Sequence, residues 1–231
     1  MKNSITLLLL LFISTFIYAQ NSELRDLPTF DGISLTTSGN VYLTQGNAQK
    51  VEIKGREETL RKIETEVRSG TLVIKHKDSD SWFGGFNSDD FDVYITVKNL
   101  KELNVSGSGR IMGKNKFAAD RMEIEVSGSG RISLETSANL IETSISGSGK
   151  IELKGTTKDL ETRISGSGTM YAEDMECENF QARISGSGKC EVNVSKSLDA
   201  RISGSGSVYY RGNPDKINSQ SSGSGKVRKV S

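Results

Sequence analysis

The chain has 231 residues, 30 Lys+Arg against 29 Asp+Glu, one His, two Cys and 24 Gly, with 34% of it apolar. That length fits one ordinary domain or two small ones. The balanced charge lacks the basic stripe that nucleic-acid binding requires, and two cysteines exclude a disulfide-dense scaffold.

Residues 1–19 read as a secretory signal peptide. Lys2 gives a positive start, Ile5 to Ile17 is an apolar run, and Tyr18-Ala19-Gln20 offers a small residue for cleavage after Ala19. The apolar run is shorter than the ~20 residues of a membrane-spanning helix. Its removal takes away Lys2 and leaves 29 basic residues against 29 acidic ones. The mature protein is therefore expected to be exported to the periplasm, the outer-membrane surface or the medium, with no transmembrane segment after cleavage.

Residues 20–100 predict β structure of low regularity. Strand-like runs are Ile33–Leu35, Asn40–Leu43, Val51–Ile53, Ile63–Val67, Thr71–His76 and Phe91–Val97, with a turn at Gly46-Asn47 and one helical turn at Glu57–Arg61. The loop Asp78–Asp92 carries the only Trp, three Phe and five Asp. Exposed Trp82, Phe83 and Phe86 beside carboxylates suit contact with a sugar or a protein. They equally suit a hairpin tip folded over the end of the molecule.

From residue 101 onward the chain repeats. Seven Ser-Gly-Ser-Gly tetrapeptides begin at Ser106, Ser127, Ser146, Ser165, Ser185, Ser203 and Ser222, at intervals of 21, 19, 19, 20, 18 and 19 residues. One such tetrapeptide is a linker; seven at a near-fixed period mark a solenoid. Just before them stand Val105, Val126, Ile145, Ile164, Ile184 and Ile202, with Ser221 breaking the set. Two residues after them stand Ile111, Ile132, Ile151, Met170, Cys190, Val208 and Val227. These share one parity, the period-two alternation of strands with one buried face. Continued through the tetrapeptide, that parity turns both Gly inward and both Ser outward. Lys114, Glu135, Lys154 and Glu173 would alternate in charge up the stack, and an acidic column (Glu123, Glu142, Glu161, Gln181, Asp199) would run beside Arg163, Arg183 and Arg201.

A lap of ~19–20 residues is too short for strand–helix–strand units, which need 30 or more. The fold class is an all-β, single-domain parallel β-helix, right-handed by the crossover preference. Residues 20–100 form its irregular amino-terminal rungs and cap, and residues 101–231 its repeat rungs. The alternative is a separate β-domain for the first third.

The pattern Phe30-Asp31, Val41-Tyr42-Leu43, Gly70-Thr71-Leu72, the repeated Ser-Gly-Ser-Gly and the ending Val208-Tyr209-Tyr210-Arg211-Gly212-Asn213-Pro214 resembles the DUF2807 family over about residues 28–228. That family is also called the auto-transporter adhesin, head GIN domain. The resemblance implies an exported β-helical protein typical of Bacteroidetes-like Gram-negative bacteria, and it transfers no catalytic residue. With Ser231 just past the last repeat, no membrane-embedded translocator barrel is expected to follow.

Tyr171 and Tyr209 share an offset in the repeat, with Glu191 on the rung between, and can line a glycan groove or be ordinary surface residues. Cys190 takes an inward position and Cys177 lies one rung earlier; export permits a disulfide between them, which spacing alone does not decide. Lone His76 supports neither a zinc site nor a Ser–His pair. No catalytic residue, metal or cofactor is expected. The function class is a non-enzymatic, adhesin-like envelope or cell-surface protein binding a glycan or surface protein, with a ligand-free structural component as the alternative and a polysaccharide-active enzyme as the weakest reading.

Overall fold

Apolar residues at every second position can be buried only if successive laps of chain lie on one another, and the observed pairing does this. The computed structural model describes residues 21–77 and 91–230. Its first third holds β1 (Asn21–Leu24), β2 (Gly32–Leu35), β3 (Asn40–Gln45), β4 (Lys50–Gly55), the single-turn helix α1 (Glu57–Leu60), β5 (Ile63–Arg68), β6 (Thr71–His76) and β7 (Phe91–Val97). Then come β8 (Glu102–Gly107), β9 (Arg110–Gly113), β10 (Phe117–Ala118) and β11 (Arg121–Gly128). The long strands β12 (Arg131–Gly147), β13 (Lys150–Gly166), β14 (Thr169–Gly186) and β15 (Lys189–Gly204) each run almost a whole lap between Gly corners. β16 (Ser207–Arg211), β17 (Lys216–Ser222) and β18 (Lys226–Lys229) close the chain. The whole is a parallel β-solenoid of about seven turns.

From β8 to β18 every pairing is parallel and, apart from register shifts where β14 meets its neighbours, each residue lies on its equivalent in the next lap. Val105, Val126, Ile145, Ile164, Ile184, Ile202 and Ser221 form one continuous column. Ile111, Ile132, Ile151, Met170, Cys190, Val208 and Val227 form a second. All but the terminal Ser221 and Val227 are buried. A third column changes character along the stack, from Leu103 and Ile124 to Thr143 and Thr162 and then to Ala182 and Ala200. The two buried threonines satisfy each other: Thr143 Oγ1 donates to Thr162 Oγ1 at 2.9 Å.

The corner differs from expectation in one respect. Only the second Gly of each tetrapeptide points inward; the first has φ between +108° and +122° and lies outside the alternation. That left-handed backbone turns the chain through the corner, and L side chains rarely adopt it. The second Gly is required by contact. A Cβ on Gly149 would stand 2.3 Å from Val126 Cγ1 and 3.0 Å from the carbonyl oxygen of Gly130, on the lap beneath. Both serine ladders face outward as expected.

The first third is built on the same stack but not in chain order. β2 and β3 lie between two other laps, pairing in parallel with β6 and β7 on one side and with β8 and β9 on the other. The outer lap is then closed by antiparallel strands: β5 on β6, β4 on β7, and β1 on β4. One buried apolar cluster runs through both parts, from Phe30 to Val208. β6 pairs with β2 and β5, and β7 with β3 and β4. Phe91 is a core residue, packed where a Cβ on Gly39 would fall 2.4 Å from its ring.

Candidate functional site

Outward side chains just past the Gly corner form a flank on which the repeat places equivalent residues one above another. Here Glu152, Tyr171, Glu191, Tyr209 and Arg228 make one column, and Lys150, Thr169, Lys189, Ser207 and Lys226 its neighbour. The two tyrosines are thus held two laps apart. Lys189 spans the gap, with Nζ 6.0 Å from the Tyr171 ring and 5.2 Å from the Tyr209 ring, and it also pairs with the Glu191 carboxylate. A cation over a tyrosine face is held by the ring quadrupole, so all three side chains are positioned together.

An irregularity in β14 completes the flank. Between β13 and β14, Glu152 faces Tyr171 but Lys154 faces Asp174, one residue further than regular pairing allows. Between β14 and β15, Ala172 faces Val192 whereas Glu176 faces Asn193. The surplus residues form a β-bulge, which re-aims side chains. Glu173 is carried toward Glu191, and the two carboxyls share a hydrogen bond. That bond raises the Glu173 carboxyl above its ordinary value, assisted by partial desolvation and the charge of Glu191. The same bond, together with Lys189, holds the Glu191 carboxyl below its ordinary value. The charge ladder is altered as a consequence. Lys154 pairs with Asp174 at 3.1 Å, so Glu173 does not follow Lys154 in an alternating column.

Two shallow depressions flank the bulge, and Glu173 lines both. One, of about 250 Å³, also holds Lys189, Glu191, Tyr209 and Arg211; the other, of about 290 Å³, holds Lys150, Glu152, Lys154 and Tyr171. Aromatic faces beside paired carboxylates and ammonium groups can stack on an apolar ring face while bonding its hydroxyls.

Of the sequence candidates, the structure brings Tyr171 and Tyr209 onto one flank. Trp82, Phe83 and Phe86 lie outside the described residues, as does the signal peptide 1–19. The disulfide left open by the sequence is not formed: Cys177 and Cys190 are both free and buried. Register is the reason. Cys190 stacks between Met170 and Val208, whereas Cys177 stacks between Thr157 and Val194 in another column. Burial pushes both thiols up to about 12, which keeps them protonated and unreactive. Glu173, Lys189 and Glu191 were not singled out as site residues from the sequence. The trace of their grouping was the spacing of 20 and then 18 residues on either side of Ser185, where 19 is usual.

Among the described residues, no helix is long and apolar enough to cross a membrane. The fold and flank define a β-solenoid with a shallow aromatic and charged face. Its sequence matches the profile described as "Putative auto-transporter adhesin, head GIN domain" over residues 29–214, and the chain belongs to this DUF2807 family.

Solved structures share the architecture. A putative adhesin from Bacteroides fragilis superposes with a TM-score of 0.83 at 22% identity, over 92% of this chain and 98% of that one. A putative adhesin from Parabacteroides merdae gives 0.66 at 20% identity, over 93% and 98%. A protein from Parabacteroides distasonis, named as a putative lipid binding protein, gives 0.72 at 27% identity, over 93% and 98%. No curated protein matches the chain.

Proposed function

We propose that this protein is an exported, non-enzymatic binding module of the cell envelope or cell surface, and that its ligand is a glycan or a glycan-bearing surface protein. The observation that carries this reading is the flank of Tyr171, Lys189 and Tyr209 with the Glu173–Glu191 carboxyl pair, displayed on stacked parallel laps. Family membership supports a surface role, and the amino-terminal signal sequence supports export. The flank is shallow rather than enclosed, which suits weak contacts multiplied over a polymer or a crowded surface more than capture of one small molecule.

The test is a glycan array and a surface-protein pull-down with residues 20–231, run beside the Y171A/Y209A variant. Binding by the unaltered chain, lost in the variant while the thermal midpoint is unchanged, is expected. Blanks across both screens favour the ligand-free structural component instead.

A further inference from the structure

The opposite side of the Gly corner carries a second surface of different chemistry. On the strands leading into the corner, Arg163, Arg183 and Arg201 lie directly on one another in successive laps. Two residues along the same face, Ser165, Ser185 and Ser203 form a parallel column. Between the two columns runs a groove of about 590 Å³, floored by backbone and by the edges of the buried isoleucine column.

Stacked guanidiniums at the ~4.8 Å rung spacing repel one another, so the neighbouring carboxylates matter. Glu161 lies 3.4 Å from Arg163, and Asp199 lies 3.6 Å from Arg201. On the middle lap the acidic column holds neutral Gln181, and the Arg183 guanidinium has no ion-pair partner among the described residues. The serine hydroxyls lining the groove likewise make no side-chain hydrogen bond among the described residues. Positive charge and unused hydroxyls thus face one trough, and the carboxylates stand on its far side, behind the arginines.

We propose that this groove binds an acidic polysaccharide, laid along the stack axis with anionic groups on Arg163, Arg183 and Arg201 and hydroxyls on the serine column. The identical cross-section on successive laps fits a linear repeating polymer, which gains about one sugar per rung. The hydroxyl column suits sugar hydroxyls, and the acidic column behind the arginines disfavours a chain as densely charged as nucleic acid. This deepens the binding-module reading by adding a second face with its own ligand class, yet it uses no residue of the tyrosine flank.

Affinity electrophoresis of residues 20–231 through gels containing polygalacturonate, dextran sulfate or neutral dextran tests it. Retardation by one or both acidic polymers, and none by neutral dextran, is expected; the two acidic gels separate carboxylate from sulfate recognition. R163Q/R183Q/R201Q should bind about tenfold or more weakly, as loss of charge-assisted hydrogen bonds implies. K98Q/K116Q/K158Q, with the same change of net charge elsewhere on the surface, should bind as the unaltered chain does. R183Q alone, which breaks no ion pair among the described residues, should weaken binding by a smaller step and guards against a folding defect in the triple variant. Equal loss in the lysine variant, no retardation by either acidic polymer, or tighter binding to a single-stranded oligonucleotide at equal charge concentration overturns the proposal. Y171A/Y209A is expected to leave this retardation unchanged, so failure here and failure of the tyrosine flank are separate results.

Discussion

The two parts of this solenoid solve one packing problem in different ways. From β8 to β18 every strand pairs in parallel with its own equivalent one lap away, so each position meets the same neighbours repeatedly and the sequence repeats with it. In the first third the inner lap of β2 and β3 precedes the outer lap of β6 and β7 in the chain, and antiparallel β1, β4 and β5 shut the outer edge. Parallel and antiparallel neighbours mix there, and the repeat disappears. The other end is blunted by composition. β17 is exposed throughout, and Ser221 stands where interior laps have Ile or Val. Exposed strand edges invite pairing with other chains, and the two ends use the two available remedies, coverage and polarity.

The largest test of this contrast compares one column at two heights. Leu160 is 1% exposed inside the stack, and Ile217, in the same column, is 49% exposed on the last lap. Leu160→Ala is expected to cost about 2–5 kcal/mol in urea denaturation, and Ile217→Ala about 1 kcal/mol or less. Similar losses at both would show that the final lap is packed like the interior.

A smaller effect sharpens the polar side of the comparison. Thr143→Val leaves the buried Thr162 hydroxyl without its partner and should cost about 1–3 kcal/mol, while the T143V/T162V double variant should be close to neutral. In the cap, the buried Thr59 hydroxyl has no hydrogen-bond partner among the described residues. Thr59→Val is therefore expected to be neutral or stabilising, and thermal midpoints read all three variants. A large loss at Thr59 would contradict this account of the cap.

The smallest expected effect is in the pH dependence of the cap. The Glu52 carboxyl accepts from Ser22 at 2.6 Å and pairs with Lys50 at 2.9 Å and Lys54 at 3.4 Å, and it is held down at about 2 from its ordinary 4.5. A carboxyl lowered by folding contributes stability that is complete above its unfolded value and is lost as pH falls through the folded one. Glu52→Gln should therefore flatten the decline in stability between about pH 4.5 and 2, slightly, because exposed ion pairs contribute little. An unchanged acid profile would remove Glu52 from the closure of the outer edge.

The repeat laps were legible because stacked columns write themselves into the sequence as recurring letters, and Val105 to Ile202 could be aligned by eye. The order of laps in the cap was not, since β2 pairing with both β6 and β8 depends on contacts that leave no periodic trace. The first Gly of each corner was misplaced because strict alternation assumes extended backbone, and a positive φ breaks it. On the candidate flank, the Tyr171–Tyr209 alignment was readable from the repeat offset. The approach of Glu173 to Glu191 was not, because a bulge shifts the register while leaving the average period unchanged.

In-register stacking itself is tested most directly by Gly147 and Gly107, which hold the same corner position with φ of +110° and +113°. A Cβ on Gly147 would stand 2.7 Å from the carbonyl oxygen of Gly128 on the adjacent lap, whereas a Cβ on Gly107 meets nothing within 4 Å. Both Ala variants carry the backbone strain, and only Gly147→Ala adds a collision between laps. Measured by urea denaturation, Gly147→Ala is predicted to lose about 1–3 kcal/mol more than Gly107→Ala. Equal losses would mean that the tetrapeptides do not lie one upon another.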